Sequence, residues 1–131
     1  MEPENTKKIL IVDDDFAFVT SLQKILVKSG YIVNRAGSCK EAYKYLTQEN
    51  YFLVFLDLYL PDKSGLDFLK DIKAKSPATT VIMITVNGDI YNYDQAMREG
   101  AFAYLNKPVK RNKILTYTNR ALSQFRTQFI H

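Results

Sequence analysis

The chain of 131 residues has the length of one domain, and its 47% hydrophobic and 24% charged residues exclude a disordered chain. Its single cysteine excludes an internal disulfide and suits a reducing cytoplasm, and without a CxxC pair or an internal histidine we expect no zinc site. No secretory signal and no apolar run of about 18 residues is found, so we expect neither export nor a membrane span.

The net charge of +4 is distributed unevenly along the chain. Glu99 is the last acidic residue, and the six basic residues after it leave the first 99 residues with 12 basic and 14 acidic ones. A basic segment is one mark of nucleic-acid binding. A solvated helix face is the commoner explanation of such a run, and we therefore expect no direct contact with nucleic acid.

Short apolar runs alternate with amphipathic segments after a polar start, residues 1–6, which we expect to be flexible. The apolar runs predict buried strands at residues 9–12, 31–33, 51–56, 81–84 and 102–105. Apolar residues at helical spacing predict helices within residues 18–26, 38–46, 66–72, 90–97 and 114–125. Gly30 and Gly100 stand where helices end, and Ser38 with Glu41 forms a capping box that begins the second helix.

Strict alternation of strand and helix predicts a parallel sheet of five strands with helices on both faces, which is the doubly wound α/β class. In such open sheets a ligand binds beyond the carboxyl ends of the strands. The residues that follow each strand are therefore the candidates for function.

Acids, a hydroxyl and an ammonium follow four of the five predicted strands. They are Asp13, Asp14 and Asp15 after the first strand, Asp57 after the third, Thr85 at the end of the fourth and Lys107 after the fifth. Each also has a structural explanation: Asp15 is placed to cap the first helix, and Asp57 to form an ion pair with Lys107. The second strand delivers Asn34 and Arg35, which fit no evident role.

Carboxylates that converge at one edge repel one another unless a cation lies between them. A set of oxygen ligands without histidine or cysteine suits Mg²⁺, which retains water and accepts phosphate oxygens. An aspartate can act as a nucleophile and form an acyl phosphate, while metal, lysine and hydroxyl spread the charge. Because no Walker A or dinucleotide motif is present, the residues indicate phosphoryl chemistry on an aspartate.

Four stretches carry a resemblance to a known family: ILIVDDD at 9–15, VFLDLYLPDKSG at 54–65, VIMITVNGD at 81–89 and GAFAYLNKPV at 100–109. In order and spacing they resemble the signatures of response-regulator receiver domains of two-component phosphorelays. Their wording is similar to that of receivers in nitrogen-regulator-type, sigma-54-dependent activators. The resemblance covers residues 7–126, implies the flavodoxin-like strand order 2-1-3-4-5 of chemotaxis receivers, and leaves residues 127–131 as a tail or the start of a linker.

The resemblance implies a phosphorylation-activated switch. Asp57 would accept a phosphoryl group from the phosphohistidine of a sensor histidine kinase or a phosphotransfer protein. Asp14 would bind Mg²⁺ directly, Asp13 would bind it through water, and the backbone carbonyl of Tyr59 would complete the set with Asp57. Such a domain catalyses only its own phosphorylation and dephosphorylation, so we do not expect an enzyme that acts on other substrates.

The resemblance also implies how the switch is read. Thr85 would hydrogen-bond the phosphoryl oxygens, and Lys107, ahead of a cis peptide bond to Pro108, would form an ion pair with them. Tyr104 would rotate into the space that Thr85 vacates. The fourth helix, fifth strand and fifth helix would then present a changed surface to an output domain or partner. Acidic residues on the fourth helix and basic residues on the fifth suggest a homodimer through this surface.

Other functions stay open. Val86 follows Thr85 where the family usually has Ala or Gly, and a branched side chain there could crowd the phosphoryl site, which would give a degenerate receiver that binds partners without phosphorylation. Asp13-x-Asp15 also resembles the nucleophile motif of haloacid-dehalogenase-like phosphatases, in which Asp13 would be phosphorylated. Against that function, Ala17 stands where the motif has Thr or Val. A flavin-binding module of the same topology would need a Ser/Thr-rich loop after the first strand, which this chain lacks.

Overall fold

A computed structural model describes residues 7–128 of the chain. Within this range, five strands form one sheet in which all neighbouring strands are parallel. The strands are β1 (Lys8–Val12), β2 (Ile32–Ala36), β3 (Leu53–Leu56), β4 (Thr80–Thr85) and β5 (Ala103–Asn106). Their order in the sheet is β2-β1-β3-β4-β5. The predicted fold class and strand order are confirmed. The flexible segment expected at 1–6 and most of the tail expected at 127–131 lie outside the described residues.

The strands are connected and followed by helices that cover both faces of the sheet. These helices are α1 (Phe16–Lys28), α2 (Cys39–Gln48), α3 (Gly65–Lys75), α4 (Ile90–Arg98) and α5 (Arg111–Thr127). Leu22 of α1 and Phe125 of α5 are buried in the core on one face. Phe68 of α3 and Ala96 of α4 are buried in the core on the other face. None of the helices in the described range is long and apolar enough to cross a bilayer.

The two predicted helix-ending glycines lie just beyond α1 and α4. Gly30 has a φ of 98° and Gly100 a φ of 102°, a left-handed conformation that glycine adopts without the strain that a side chain would bring. After Gly30, the N–H of Tyr31 donates to the carbonyl of Leu26 at 3.1 Å. This pattern satisfies a carbonyl at the end of the helix and turns the chain towards the next strand.

Strands β1 and β4 contain the predicted residues and extend slightly beyond them, whereas the other three strands lie at slightly different positions from those predicted. Tyr31 belongs to the turn after α1, and β2 continues through polar residues to Ala36. Because β2 is an edge strand that is only partly buried, it does not need the apolar residues that mark a central strand. The third strand begins at Leu53, although Tyr51 and Phe52 before it are also buried, and β5 lies one residue further along the chain than predicted.

Helix α4 has the predicted position, but the apolar residues that predicted it do not form a buried face. Ile90, Tyr93 and Met97 are 80%, 44% and 37% exposed, and Ala96 is the buried residue of this helix. The helix approaches the sheet through this small side chain, which leaves the larger apolar side chains on its flank in contact with solvent. We call these exposed residues, together with Tyr91 at 69% exposure, the α4 flank.

Candidate functional site

The carboxyl ends of β1, β3, β4 and β5 carry the predicted site residues to one edge of the sheet. Strands β1 and β3 are paired in register, so Asp13 and Asp57, which directly follow them, are neighbours. The Asp57 N–H continues the pairing by donating to the carbonyl of Val12 at 2.9 Å. On the other side of β4, the Lys107 N–H donates to the Thr85 carbonyl at 2.8 Å. The sheet itself therefore fixes the backbone from which these side chains project.

Three carboxylates converge at this edge. One oxygen from each of Asp13, Asp14 and Asp57 lies within 4.8 Å of the others. Asp13 and Asp57 are buried, with 4% and 7% exposure, whereas Asp14 is exposed to solvent. Two buried acids and one exposed acid thus form a cluster that solvent and a reacting partner can reach from one side.

Both oxygens of Asp13 have a fixed neighbour. Its Oδ1 accepts a hydrogen bond from the N–H of Asp15 at 2.9 Å, and its buried Oδ2 lies 2.7 Å from Lys107 Nζ, with no other donor among the described residues. Asp15 itself caps α1, as predicted, by accepting from the N–H of Phe18 at 3.1 Å. Burial raises the pKa of Asp13 and the charge of Asp57 adds to the rise, against the contacts with Lys107 and the Asp15 N–H.

These residues fit a divalent cation. A cation stabilises the ionised form of a carboxylate that burial disfavours, and the set of oxygen donors lacks the nitrogen and sulfur ligands that transition metals prefer. An exposed third acid leaves room for the water that Mg²⁺ retains.

Lys107 lies between the acids and α1. Its ammonium is 3.9 Å from Asp57 Oδ2, so its nearest acid is Asp13 and not the Asp57 of the predicted ion pair. The ring of Phe18, which the sequence marked only as part of an apolar helix face, covers the ammonium at 4.3 Å from the ring centroid. The Lys107 side chain is only 8% exposed, and its peptide bond to Pro108 is cis. Packing and the contact with Asp13 therefore fix the lysine side chain beside the acids.

Thr85 is fully buried at the end of β4, and its hydroxyl donates to the carbonyl of Val86 at 3.3 Å. Its hydrogen bond is therefore local. Val86, whose size suggested a crowded site, is 49% exposed and so is not enclosed there. Asn87 has a φ of 56°, a left-handed conformation that asparagine tolerates better than most residues, and it turns the chain away from the sheet.

Tyr104 in β5 packs against the loop that follows β4. Its ring meets that of Tyr93 edge to face, with centroids 5.7 Å apart. Its hydroxyl is buried and has no hydrogen-bond partner among the described residues. The contact with Gly88 is so close that a Cβ there would lie 2.5 Å from the Tyr104 hydroxyl. Burial raises the pKa of Tyr104, which favours the neutral hydroxyl. Among the described residues the ring is therefore held by packing and not by a side-chain hydrogen bond.

The loop between β3 and α3 folds back onto Asp57. The N–H of Tyr59 donates to Asp57 Oδ1 at 3.4 Å, while the Tyr59 side chain is 58% exposed. Tyr59 and Ser64 form an antiparallel bridge, and the N–H of Gly65 donates to the Leu58 carbonyl at 2.8 Å. A side chain at Gly65 would not fit, because its Cβ would lie 2.1 Å from the Asp57 carbonyl oxygen. The sequence alone gives no sign that Gly65 approaches the Asp57 carbonyl so closely.

Arg35, for which the sequence predicted no role, connects β2 to α1. Its guanidinium donates to Thr20 Oγ1 at 3.2 Å and to Gln23 Oε1 at 3.0 Å, and it stacks 4.7 Å from the ring centroid of Phe16. A lone basic residue in an edge strand gives little warning of such contacts, because its partners lie on a preceding helix.

The acid cluster is an open site. Asp13 and Asp14 border a shallow depression that also includes Arg35 and Glu41. A more enclosed cavity of about 140 Å³ lies elsewhere, between α2 and α3, where Tyr43, Phe68 and Lys75 contribute to its wall. Sites for small substrates are usually enclosed, so the open edge suits a reacting group that another protein presents.

The fold and the chemistry of its edge define the class: a doubly wound domain with an acidic site at the carboxyl ends of its strands. The family model described as the response regulator receiver domain matches residues 9–119, and the chain belongs to this family. Its members are signalling domains of two-component systems, for which phosphorylation is the general switch, and they are not classical enzymes. The family indicated by the four sequence stretches is confirmed.

The chain is similar to curated regulators and to solved receiver domains, as expected for a member of this family. Response regulator protein PilR of Pseudomonas aeruginosa is 36% identical over 116 residues, which are 88% of this chain and 26% of PilR. A CheY-like receiver domain of Methanospirillum hungatei JF-1 has a TM-score of 0.90 at 32% identity, covering 93% of this chain and 98% of that one. The beryllofluoride-activated NtrC4 receiver domain dimer has a TM-score of 0.87 at 32% identity, covering 91% and 98%. The chain spans about a quarter of the length of the curated relatives it matches, and its predicted similarity to nitrogen-regulator-type receivers is confirmed.

Proposed function

We propose that this receiver domain is switched by phosphorylation of Asp57, with the phosphoryl group supplied by the phosphohistidine of a sensor histidine kinase or a phosphotransfer protein. The observation that carries the proposal is the convergence of three carboxylates within 4.8 Å of one another beside a buried lysine. An open edge of this kind admits a histidine side chain on the surface of a partner.

The proposed cofactor is Mg²⁺. The carboxylates of Asp13, Asp14 and Asp57 and the backbone carbonyl of Tyr59 would hold it. When bound, the ion neutralises charge on the oxygens of the transferring phosphoryl group. Three acids and one lysine leave an excess of negative charge at this edge, which a divalent cation would balance.

Asp57 is the nucleophile in this proposal. One of its carboxylate oxygens forms a bond to phosphorus while the bond between phosphorus and the histidine nitrogen breaks, and the electron pair of that bond returns to the imidazole. Lys107 lies between Asp13 and Asp57, so its ammonium can turn from the first acid to the phosphoryl oxygens with little movement. The Thr85 hydroxyl would exchange its local bond to Val86 for a phosphoryl oxygen.

The switch residue in this proposal is Tyr104. Because its buried hydroxyl has no partner among the described residues, the ring is held by packing, which includes its contacts with Tyr93, Gly88 and the core on that face. A movement of Thr85 would then be enough to change the preferred position of the ring. The surface formed by α4, β5 and α5 would change with it and would be read by an output domain or partner.

The same surface is the proposed contact of a homodimer. Acidic residues lie at α4 and its caps, and basic residues lie on α5. In the proposed dimer, the acidic residues of one copy would pair with the basic residues of the other: Asp89, Asp94 and Glu99 with Arg111, Lys113 and Arg120. The exposed α4 flank adds apolar area to this charge pattern. The NtrC4 receiver, a relative at 32% identity, is a dimer in its activated form. Reversing the charge of Asp94 and Glu99 together should weaken self-association in sedimentation, and an unchanged association constant would refute pairing through these charges.

The phosphorylation proposal is tested by intact mass after incubation with a small acyl phosphate, with and without Mg²⁺, followed by peptide mapping. We expect one added phosphoryl group on Asp57, which is lost in Asp57→Asn and in the absence of metal. Asp71→Asn, which removes an exposed acid outside the cluster, is the matched control and should react like the wild type. Modification of Asp13 would instead support the phosphatase-like function. No modification, together with no binding of beryllofluoride, would support the degenerate receiver.

A further inference from the structure

The tip of the loop between β3 and α3 is hydrogen-bonded to the start of a different helix. Asp62 Oδ1 accepts from the N–H of Cys39 at 3.0 Å, and Asp62 Oδ2 accepts from the N–H of Lys40 at 2.9 Å. Cys39 and Lys40 are the first two residues of α2. Both carboxylate oxygens of a residue in one loop are thus used on backbone groups 22 and 23 residues earlier in the chain.

Helix α2 already has a cap of its own, so Asp62 is not needed to begin it. Ser38 Oγ accepts from the N–H of Glu41 at 3.1 Å, and the Ser38 carbonyl accepts from the N–H of Ala42 at 3.0 Å. The N–H groups of the first turn of α2 are therefore shared between a local cap and a distant carboxylate. The bonds from Cys39 and Lys40 also lower the pKa of Asp62, as expected for an anion held by a helix N-terminus.

The segment that Asp62 ties down leads directly into the acid cluster. Its two ends are joined by the bridge between Tyr59 and Ser64 and by the bond from Gly65 N–H to the Leu58 carbonyl. The N–H of Tyr59 contacts Asp57 at 3.4 Å. Between these closed ends, residues 60–63 form the tip of the loop. Both oxygens of the Asp62 carboxylate bind α2, and the Cys39 thiol also donates to the Lys63 carbonyl at 3.9 Å.

We call the two hydrogen bonds from Cys39 and Lys40 to Asp62 the tether. On the α2 side of the tether, the backbone also leads to the acids. Helix α2 follows β2, and the carbonyl of Ala36 at the end of β2 accepts from the N–H of Asp13 at 2.9 Å. Glu41 in the first turn of α2 accepts from the N–H of Gly37 at 2.7 Å, which fixes the turn between them. Asp62 therefore joins the backbone beside Asp13 to the backbone that carries Tyr59.

We propose that Asp62 is a positioning residue, which holds the Tyr59 carbonyl in place for Mg²⁺ by anchoring its loop to the N-terminus of α2. This role rests on the proposed function, because it assumes that the cluster binds the cation. Residues that orient metal ligands without touching the metal commonly change affinity by about tenfold to a hundredfold when replaced. Asp62 forms no hydrogen bond with the acids or with Lys107 among those described. A loss of Mg²⁺ affinity in an Asp62 variant would therefore be an indirect effect of a change in the position of the loop.

The test compares Asp62→Asn with Ser38→Ala by Mg²⁺ titration of the full chain in a calorimeter. Ser38→Ala is the matched control, since it removes the other cap of the same helix and leaves the tether in place. We expect Mg²⁺ affinity about tenfold weaker or more in Asp62→Asn, and within about twofold of the wild type in Ser38→Ala. Equal affinities in Asp62→Asn and the wild type, or an equal loss in both variants, would overturn the role.

A second measurement does not depend on the metal. Amide hydrogen exchange of Cys39 and Lys40 without Mg²⁺ should be slowed in the wild type and at least about tenfold faster in Asp62→Asn, because their acceptor is weakened or replaced by an amide donor. Unchanged exchange at these amides would show that the tether is absent in solution and would overturn the role. If instead the exchange result is as expected but the wild type binds no Mg²⁺ and takes up no phosphoryl group, the proposed function fails while the tether itself stands, and the positioning role is overturned with it.

Discussion

The ammonium of Lys107 lies 2.7 Å from the buried carboxylate of Asp13. This lysine neutralises one of the three acids that converge at the sheet edge, and its next acid, Asp57, is 3.9 Å away. When all three acids are ionised, the cluster therefore keeps an excess of negative charge in a partly buried place. Such an excess favours the uptake of positive charge, whether as a metal ion or as a proton.

Magnesium should stabilise the folded chain. Because only the folded state brings the three carboxylates together, Mg²⁺ at 100 times its dissociation constant should add about 2.7 kcal/mol to the free energy of unfolding. The measurement is urea denaturation with Mg²⁺ and with EDTA. Asp14→Asn, which removes the exposed acid of the cluster, should lose most of this gain, and Asp71→Asn should keep it. A wild type whose denaturation midpoint is the same in both buffers would contradict the site.

The pH dependence of stability without metal should carry the signature of Asp13. Burial raises its pKa above 3.8, so the folded state holds a proton that the unfolded state has already lost. Relative to Asp13→Asn, the free energy of unfolding of the wild type should therefore fall as pH rises from about 4 through the raised pKa of the folded state. The ionisable groups near Asp13 are Asp14, Asp15, Asp57 and Lys107, and they are the same in both proteins.

The check is urea denaturation of both proteins in EDTA at several pH values, since their difference removes the contribution of every group that does not interact with Asp13. A difference that stays constant over this pH range, or that grows in favour of the wild type, would show that Asp13 ionises in the folded chain as easily as in the unfolded one.

Alternation of apolar runs and amphipathic segments was enough to predict the doubly wound sheet, since only parallel strands with crossover helices satisfy it. The pattern was less informative where an element is not enclosed. Strand β2 continues through polar residues to Ala36 because it lies at the edge of the sheet. In α4 the spacing of Ile90 and Met97 identified a helix but not the direction of its apolar side, which faces solvent.

The site was predictable to a similar extent. Parallel topology brings Asp13 and Asp57 to one edge whatever their side chains do, so their meeting follows from the order of the elements. Lys107 lies closer to Asp13 than to Asp57. This preference depends on side-chain conformation within a few ångströms, which sequence spacing does not report. The contact of Phe18 with that lysine and the tether of Asp62 to α2 join elements with no periodic relation, so no sequence pattern reveals them.

Gly88→Ala should move Tyr104 from its present position. The added Cβ would lie 2.5 Å from the hydroxyl and 2.6 Å from a ring carbon of Tyr104, and a side chain can move away where backbone cannot. We expect a loss of stability of about 1–3 kcal/mol together with faster nitration of Tyr104, located by peptide mapping. Gly37→Ala is the control, because its Cβ would meet nothing within 4 Å. Equal nitration of Tyr104 in both variants would show that Gly88 does not hold the ring.

Replacing Tyr104 by Phe should stabilise the chain, whereas the same change at Tyr51 should destabilise it. The buried Tyr104 hydroxyl has no hydrogen-bond partner among the described residues, so its removal relieves a desolvated polar group. The Tyr51 hydroxyl lies 2.9 Å from Asn34 Oδ1 and 3.0 Å from Glu49 Oε2, and burial raises the pKa of Tyr51.

Urea denaturation of the two variants should therefore give opposite signs. Tyr104→Phe should gain up to about 1 kcal/mol, and Tyr51→Phe should lose about 0.5–1.5 kcal/mol, the usual worth of a hydrogen bond. Both variants remove one hydroxyl from a packed ring, so the comparison isolates the hydrogen bond from the packing. A loss of stability in Tyr104→Phe as large as that in Tyr51→Phe would mean that the Tyr104 hydroxyl has a partner in solution, and that more than packing holds the ring in place.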